Sequence, residues 1–186
     1  MHISIKMRRE IFQEIEIPSG VELKIENGLV IVKGKNGENS RQFNVNNIKL
    51  EKKENKVFIE CKESTKKEKK RINTIAAHIR NMISGIDKKF EYTLKICFNH
   101  FPITVELNGN QALIKNFLGE KVPRKCKLIG GAEVKITKDY VTVTSHSKEI
   151  AGQTAANFEK ATRIRLRDRR IFQDGIFITS KNGKEI

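Results

Sequence analysis

Hydrophobic residues alternate with polar ones along the first third of the chain, in the two-residue period of β-strands. Pro18–Gly20 interrupts the alternation, and Asn27–Gly28 and Asn36–Gly37 are strong signals for tight turns between neighbouring strands. The hydrophobic residues of the predicted strands are Ile15, Ile17, Val21, Leu23, Ile25, Leu29, Val30, Ile31, Val32, Phe43, Val45, Val57, Phe58 and Ile59. This part of the chain is therefore predicted to form several antiparallel strands.

The hydrophobic period changes to that of a helix after Thr65. Thr65 and Glu68 have the spacing of a capping box, and Gly85 is predicted to end this helix. The hydrophobic residues on its buried face are Ile72, Ile75, Ala76, Ile79, Met82 and Ile83. A second helix is predicted after Ser145 and Ser147, which are candidates for its N-cap. Its buried face comprises Ala151, Ala155, Phe158, Ala161 and Thr162.

The second half of the chain repeats the order of the first half at an offset of roughly 80 residues, which is typical of a duplicated unit. Corresponding stretches are Val21–Leu23 and Val105–Leu107, Gly37–Glu38 and Gly119–Glu120, Val57–Ile59 and Val141–Val143, and Ala76–Ala77 and Ala155–Ala156. Chance similarity is the alternative. The pattern predicts an α+β fold with two duplicated domains, each an antiparallel sheet packed against one amphipathic helix. The predicted domains are residues 1–88 and 89–186, with a charged link at Asp87–Lys89 as their boundary.

A row of arginines follows the second predicted helix. Arginine occupies every second position from Arg163 to Arg169, and Arg170 comes directly after. Such alternation predicts an extended segment with its guanidinium groups on one side and Ile164 and Leu166 on the other. A folded domain that presents a row of positive charge in this way is suited to a polyanionic partner.

The charge of the whole chain favours the same kind of partner. The 186 residues include 37 Lys and Arg against 22 Asp and Glu, a formal net charge of +15. So large an excess points to nucleic acid or an anionic membrane, although a basic protein without such a partner is the alternative. No apolar run approaches the roughly 20 residues that span a bilayer, and the first ten residues lack the apolar core of a signal peptide. Membrane and secretory functions are therefore less favoured than binding to nucleic acid.

Two basic clusters of the second half are predicted to bind phosphates, because guanidinium groups fork onto phosphate oxygens and lysine acts as a point charge. The candidate contact residues are Lys121, Arg124, Lys125, Arg163, Arg165, Arg167, Arg169 and Arg170. A third cluster, Lys66–Arg71, fits a solvated helix face equally well. Only two Tyr and no Trp are present. Structured RNA, recognised by its shape and phosphates, is therefore favoured over single strands stacked on aromatic rings.

Catalytic and metal sites find little support in the sequence. Cys61, Cys97 and Cys126 lie far apart, as do the four His residues, and no two of them have the spacing of zinc ligands. An odd number of scattered cysteines fits a reducing compartment. Ser145–Ser147 places a hydroxyl beside an imidazole, but sequence adjacency supplies no positioned base. We therefore predict no catalytic residues, no metal, no cofactor and no small-molecule substrate.

Three stretches carry a resemblance to a known family. They are His100–Ile103, Asn116–Lys121, and Gln153 followed by a basic stretch and Arg170-x-Phe172-x-Asp174-Gly175-Ile176-Phe177. With these motifs in this order, nearly the whole chain resembles the sixth protein family of the large ribosomal subunit, in its archaeal/eukaryotic form. The Tyr-Lys-Gly-Lys-Gly motif that ends this region in the bacterial form is absent, which favours a cytosolic ribosome over an organellar one.

The resemblance implies two duplicated α+β domains and a non-enzymatic, structural role. It also implies binding to large-subunit rRNA near the sarcin–ricin loop, close to where translational GTPases dock, with neighbouring ribosomal proteins as further partners. In that family the second domain makes most rRNA contacts, and Asp174–Gly175 corresponds to a turn that positions the preceding arginines. Two alternatives stay open: an RNA-processing enzyme, and a basic scaffold that binds acidic proteins.

Overall fold

The computed structural model describes residues 9–34 and 37–186. They fold as two compact units that divide between Lys88 and Lys89. The predicted turn at Asn36–Gly37 lies partly outside the described residues. Each unit has a separate hydrophobic core of buried residues.

The first unit contains six strands and one helix. In chain order these are β1 (Arg9–Glu16), β2 (Val21–Glu26), β3 (Leu29–Gly34), β4 (Gly37–Gln42), β5 (Lys49–Lys53), β6 (Lys56–Ser64) and α1 (Lys66–Asp87). The strands form two antiparallel sheets, with the orders β1-β6-β5 and β2-β3-β4. Helix α1 packs on both sheets, through β1 and β6 of one and β3 and β4 of the other.

The hairpin between β2 and β3 confirms the turn predicted at Asn27–Gly28. Both residues have positive φ angles, 47° and 81°, as a two-residue type I′ turn requires. Gly28 also has no room for a side chain, since an added Cβ would lie 2.7 Å from the carbonyl oxygen of Phe43. The strand predicted through Phe43 and Val45 ends earlier than expected, at Gln42. Phe43 is nevertheless buried in the core.

Helix α1 begins as predicted but ends later. Thr65 is the N-cap, and its backbone N–H donates to Glu68 Oε2 at 2.9 Å, which completes the capping box. The prediction that Gly85 ends the helix is wrong, because the helix continues to Asp87. Ile86, in the last turn, is buried against Gly34, where an added Cβ would lie only 2.3 Å from Ile86 Cγ2. The burial of Ile86 against β3 stabilises the last turn of α1, which explains why the helix continues past Gly85.

The second unit contains eight strands and one helix. They are β7 (Phe90–Cys97), β8 (Thr104–Asn108), β9 (Gln111–Lys115), β10 (Arg124–Lys127), β11 (Glu133–Ile136), β12 (Tyr140–Ser145), α2 (Lys148–Ala161), β13 (Gly175–Lys181) and β14 (Lys184–Glu185). One antiparallel sheet has the order β11-β12-β7-β13-β14, and the other has the order β10-β9-β8. A 3-10 turn at Phe117–Gly119 lies between β9 and β10.

The two units repeat one strand order, which confirms the predicted α+β fold. The sheet β5-β6-β1 corresponds to β11-β12-β7, the sheet β2-β3-β4 corresponds to β8-β9-β10, and a helix follows the sixth strand of each unit. Each unit has two sheets where the sequence pattern predicted one. The second unit also adds β13 along the free edge of β7. This addition creates the connection from α2 to β13, which holds the predicted row of arginines.

Helix α2 has the predicted N-cap and, in Ala151, Ala155 and Phe158, most of the predicted buried face, whereas Ala161 is only partly buried and Thr162 follows the helix. The side chain of Ser147 accepts a hydrogen bond from the backbone N–H of Ile150. Ala151, Ala155 and Phe158 are fully buried, and the two alanines let the helix pack closely on β7 and β12. Neither helix in the described ranges combines the length and the apolar composition that a membrane crossing needs.

Candidate nucleic-acid interface

The connection between α2 and β13, residues 163–174, holds the predicted arginine row and is here called the arginine loop. Its two ends are held together by Thr162, a buried residue at the end of α2. Thr162 Oγ1 accepts a hydrogen bond from the backbone N–H of Ile176 at 3.0 Å and donates one to the carbonyl of Phe158 at 3.2 Å. The loop therefore leaves and re-enters the domain at one anchored point.

The arginine loop is not the extended segment that the alternating sequence predicts. Leu166 has a φ of 59°, in the left-handed region, and its side chain is fully exposed. A turn follows, in which the backbone N–H of Phe172 donates to the carbonyl of Asp168 at 2.9 Å. Of the predicted apolar side only Ile164 packs against the core. The prediction is wrong because the closely anchored ends force the chain to reverse within the loop.

Three arginines of the loop present unpaired guanidinium groups. Arg163, Arg165 and Arg169 are exposed, and within the described part of the chain their side chains form no hydrogen bond or ion pair. Lys121 lies in the loop that precedes β10, and Lys125 lies in β10. Both are exposed, and their side chains also have no hydrogen-bond or ion-pair partner among the described residues. These five cations have their full hydrogen-bonding capacity available for an external anion.

Arg167 lies over an aromatic ring. Its Cζ atom is 4.8 Å from the centroid of the Phe172 ring. The same ring stacks on the imidazole of His100, with 4.9 Å between the ring centroids and 15° between the ring planes. These contacts fix the second half of the arginine loop against the segment that follows β7.

Asp174 ends the arginine loop and is bound by the same segment. It is only 1% exposed. Its Oδ1 accepts the backbone N–H groups of Asn99 at 2.7 Å and His100 at 3.1 Å, and its Oδ2 lies 2.6 Å from His100 Nδ1. Burial opposes ionisation, but the hydrogen bonds from His100 and Asn99 outweigh it and hold the pKa of Asp174 below its usual value. A buried, ionised carboxylate therefore fixes the end of the loop.

Arg124 makes mostly internal contacts. Its Nε and Nη2 atoms donate to Glu120 at 2.8 and 2.5 Å, and its Nη1 donates to the carbonyls of Ala161 at 2.9 Å and Arg163 at 3.2 Å. The guanidinium also lies 4.2 Å from the centroid of the Phe117 ring. The bond from Arg124 holds the pKa of Glu120 below its usual value. Of the predicted contact residues, Arg124 is thus the one that joins β10 to the end of α2 and the start of the arginine loop.

Arg170 is paired within the loop. Its Nη2 donates to Asp168 Oδ2 at 2.7 Å, and its Nε is 3.1 Å from both oxygens of that carboxylate. The bond holds the pKa of Asp168 below its usual value. Because the Arg170 side chain is almost fully exposed, this pair adds little stability and can exchange for another anion.

Of the residues that position the arginines, the sequence analysis identifies Asp174 through the family resemblance but assigns no such role to His100, Phe172 or Glu120. The contacts of His100 join residues more than 70 positions apart, which no local pattern predicts. The four-residue spacing of Glu120 and Arg124 is an ion-pair signal that the sequence does carry.

The described residues offer no metal cluster, and two of their three thiols are buried. Within residues 9–34 and 37–186, no three His, Cys, Asp or Glu side chains come together as metal ligands. The three cysteines are unpaired thiols, of which Cys61 and Cys126 are buried. Burial raises the pKa of Cys126 to about 11, so this thiol stays protonated at neutral pH.

Comparison with known proteins identifies the family. The profile of the family described as ribosomal protein L6 matches residues 17–89 and 101–175. The chain belongs to this family. Large ribosomal subunit protein uL6 of Methanobrevibacter smithii is 51% identical over 169 residues, which are 91% of this chain and 95% of that protein. The uL6 of Methanocella arvoryzae is 42% identical over 176 residues, 94% of this chain and 99% of that protein.

Membership of the L6 family settles two predictions. The resemblance to the archaeal/eukaryotic form is confirmed, since these relatives come from archaea. The prediction that the chain is not an enzyme is also confirmed, because the family consists of ribosomal structural proteins. The profile matches one stretch almost wholly within each unit, in agreement with the repeated strand order.

Proposed function

We propose that this L6-family protein is a structural constituent of the large subunit of a cytosolic ribosome. Its partners are large-subunit rRNA and neighbouring ribosomal proteins. The rRNA site lies near the sarcin–ricin loop, in the region where translational GTPases dock, so that the protein supports translation by stabilising that region. Archaeal relatives named as large-subunit proteins, which match almost the full length of the chain, support this assignment.

The single observation that carries the rRNA-binding role is the anchored arginine loop. Arg163, Arg165 and Arg169 hold unpaired guanidinium groups on a segment whose ends are fixed by Thr162 and Asp174. A loop whose ends are anchored loses less backbone conformational freedom on binding phosphates than an unanchored segment would. Each phosphate neutralised in this way releases condensed counterions, which supplies most of the binding free energy.

The proposed contact residues divide into groups by how many of their donors remain available. The proposed rRNA-binding residues are Lys121, Arg124, Lys125, Arg163, Arg165, Arg167, Arg169 and Arg170. Arg124 uses four of its five N–H groups internally, so its main contribution is to position the loop. Arg167 and Arg170 contact RNA from the positions that Phe172 and Asp168 give them.

We also propose that residues 1–88 and 89–186 act as the two domains, with rRNA binding concentrated in the second. The support lies in the difference between the repeats. The arginine loop joins α2 to β13, and the first unit ends with α1, without a counterpart of β13 among its described strands. The second domain therefore carries the only such loop in the described part of the chain.

Salt-dependent binding to an rRNA fragment tests the proposal. We would compare a large-subunit fragment that contains the sarcin–ricin loop with a small-subunit fragment of equal length, between 50 and 200 mM salt. If roughly 6 to 10 phosphates are contacted, affinity for the first fragment should fall by about three to five decades over this range. A flat salt response, or equal affinity for both fragments, would contradict the proposal.

Two control measurements address the alternative functions. Polyglutamate should not displace the large-subunit fragment at equal charge concentration; displacement would favour a scaffold for acidic proteins. The rRNA should be recovered intact and unmodified after incubation with the protein and Mg²⁺. Cleavage or modification would favour an RNA-processing enzyme.

A further inference from the structure

An open cleft lies between the end of α2, the arginine loop and the start of β13. Its volume is about 800 Å³, within the range of roughly 300–1,000 Å³ that is typical of small-ligand sites. Phe172, Phe177 and Ile164 contribute apolar surface, and Asn99, Arg163 and Arg169 contribute polar groups. All of these residues belong to the second unit, and the cleft is large enough for one nucleotide.

Phe177 offers an aromatic surface to this cleft. It lies on β13 and is 46% exposed. Its ring lies over Gly175, where an added Cβ would be 2.8 Å from Phe177 Cζ. Glycine therefore makes room for the ring at this place. Within the described residues no other ring or cation stacks on it.

Asn99 places a neutral group with both a donor and an acceptor beside the aromatic surface. Its backbone N–H is used by Asp174, which fixes the residue, but its side-chain amide has no partner within the described ranges. An amide can pair with the donor and acceptor edge of a nucleobase. Glu159, the other acidic residue of the cleft, is held by the backbone N–H of Ile178 at 2.9 Å.

The cations of the cleft complete the set of groups that recognise a nucleotide. Arg163 and Arg169 line it with guanidinium groups that have no partner within the described residues, and Lys160 lies beside them. An aromatic face, an amide and guanidinium groups match the base plane, the base edge and the phosphate of a nucleotide. A buried apolar peptide segment would leave these charges without partners.

We propose that this cleft receives one unstacked nucleotide of the RNA that the arginine loop binds. The base lies against Phe177, its edge pairs with the Asn99 amide, and the adjoining phosphate binds Arg163 or Arg169. This inference rests on the proposed rRNA-binding function. It adds a single stacked base to what is otherwise recognition of phosphates and shape.

The test compares Phe177→Leu, Phe177→Tyr and Phe12→Leu in binding to the large-subunit fragment that contains the sarcin–ricin loop. Leu keeps an apolar side chain but removes the aromatic face, and Tyr keeps that face. Phe12 is a matched control, because it is similarly exposed, at 54%, and lies in the first unit. F177L should weaken binding at least about 5-fold, the lower end of the roughly 5- to 150-fold range for loss of one stacked base, because Leu keeps some apolar contact. F177Y and F12L should bind as the wild type does.

The salt dependence separates this inference from the function on which it rests. F177L should keep the wild-type slope of log affinity against log salt, because no phosphate contact is lost. If the wild type binds with a steep slope and F177L has the same affinity, the nucleotide site is excluded and the function stands. If the wild type does not bind, the function itself fails.

Two further measurements close the remaining outcomes. The thermal unfolding midpoint of F177L should equal that of the wild type. If F177L is destabilised, Asn99→Ala tests the same site through a different side chain. N99A should also weaken binding at an unchanged salt slope. If F177L and N99A bind the fragment normally but assemble less well into large subunits, the cleft holds a neighbouring protein, and the nucleotide proposal is overturned.

Discussion

Nδ1 of His100 lies 2.6 Å from Oδ2 of Asp174, although the two residues are 74 positions apart in the chain. The other oxygen of Asp174 accepts the backbone N–H groups of Asn99 and His100. One carboxylate thus joins the segment after β7 to the end of the arginine loop. The His100–Ile103 motif and the motif that ends at Phe177 meet at this contact, so both act in positioning the arginines.

Asp174→Asn should destabilise the second unit. Asn has nearly the same shape and keeps one acceptor oxygen, but it loses the negative charge of a carboxylate that accepts hydrogen bonds from Asn99 and His100. We expect the free energy of unfolding to fall by about 1.5–3 kcal/mol, as is typical for a hydrogen bond to a charged group. Denaturant unfolding at pH 7 measures this change. The control is Asp168→Asn, which changes an exposed carboxylate of the same loop and should leave the denaturation midpoint unchanged. Equal effects of the two variants would exclude the anchoring role of Asp174.

The stability that the Asp174 carboxylate contributes should be lost in acid. Its pKa in the folded protein is below the usual value of 3.8, because hydrogen bonds from His100 and Asn99 outweigh burial. On acidification the unfolded chain therefore binds a proton at this residue before the folded protein does, and stability falls. The difference in unfolding free energy between the wild type and D174N should shrink between about pH 5 and pH 2. Other carboxylates are common to both proteins and cancel, so a constant difference down to pH 2 would show that Asp174 is not the group involved.

The local elements of the fold could be predicted from the sequence, because nearby residues decide them. The turn at Asn27–Gly28 needs only two residues that tolerate positive φ. The capping box of α1 needs only Thr65 and Glu68. The repeated order of strands and helices was visible because each copy keeps its own hydrophobic pattern.

The conformation of the arginine loop could not be predicted, because distant contacts decide it. Alternating arginines fit an extended strand, but Thr162 binds Ile176 and His100 stacks on Phe172. These contacts bring the ends of the loop together and turn Leu166 outward. The end of α1 was mispredicted for the same reason, since Gly34 on another strand makes room for Ile86.

Arg124→Ala should destabilise the protein more than removal of an exposed surface arginine would. Its side chain is 27% exposed and forms four hydrogen bonds, two to Glu120 and one each to the carbonyls of Ala161 and Arg163. We expect a loss of about 1.5–3 kcal/mol in unfolding free energy, and a loss for Arg124→Lys as well, because lysine lacks the planar fork. Denaturant unfolding measures both. The control is Lys125→Ala, at the neighbouring exposed position, which should change the unfolding free energy by less than about 0.5 kcal/mol. If K125A lost as much stability as R124A, the internal hydrogen bonds of Arg124 would not explain the effect.

Arg165→Ala combined with Arg167→Ala should weaken rRNA binding and leave the fold intact. Arg165 is exposed, and Arg167 makes an exposed cation–π contact with Phe172, so we expect the pair to contribute no more than about 1 kcal/mol to stability. If each arginine binds one phosphate, the slope of log affinity against log salt should decrease by about 2. The double variant Lys135→Ala with Lys138→Ala removes the same charge from exposed positions of the second unit and should keep the wild-type slope. Equal slopes for the two double variants would exclude the phosphate contacts, and unfolding of the arginine variant would show that these residues act in the fold.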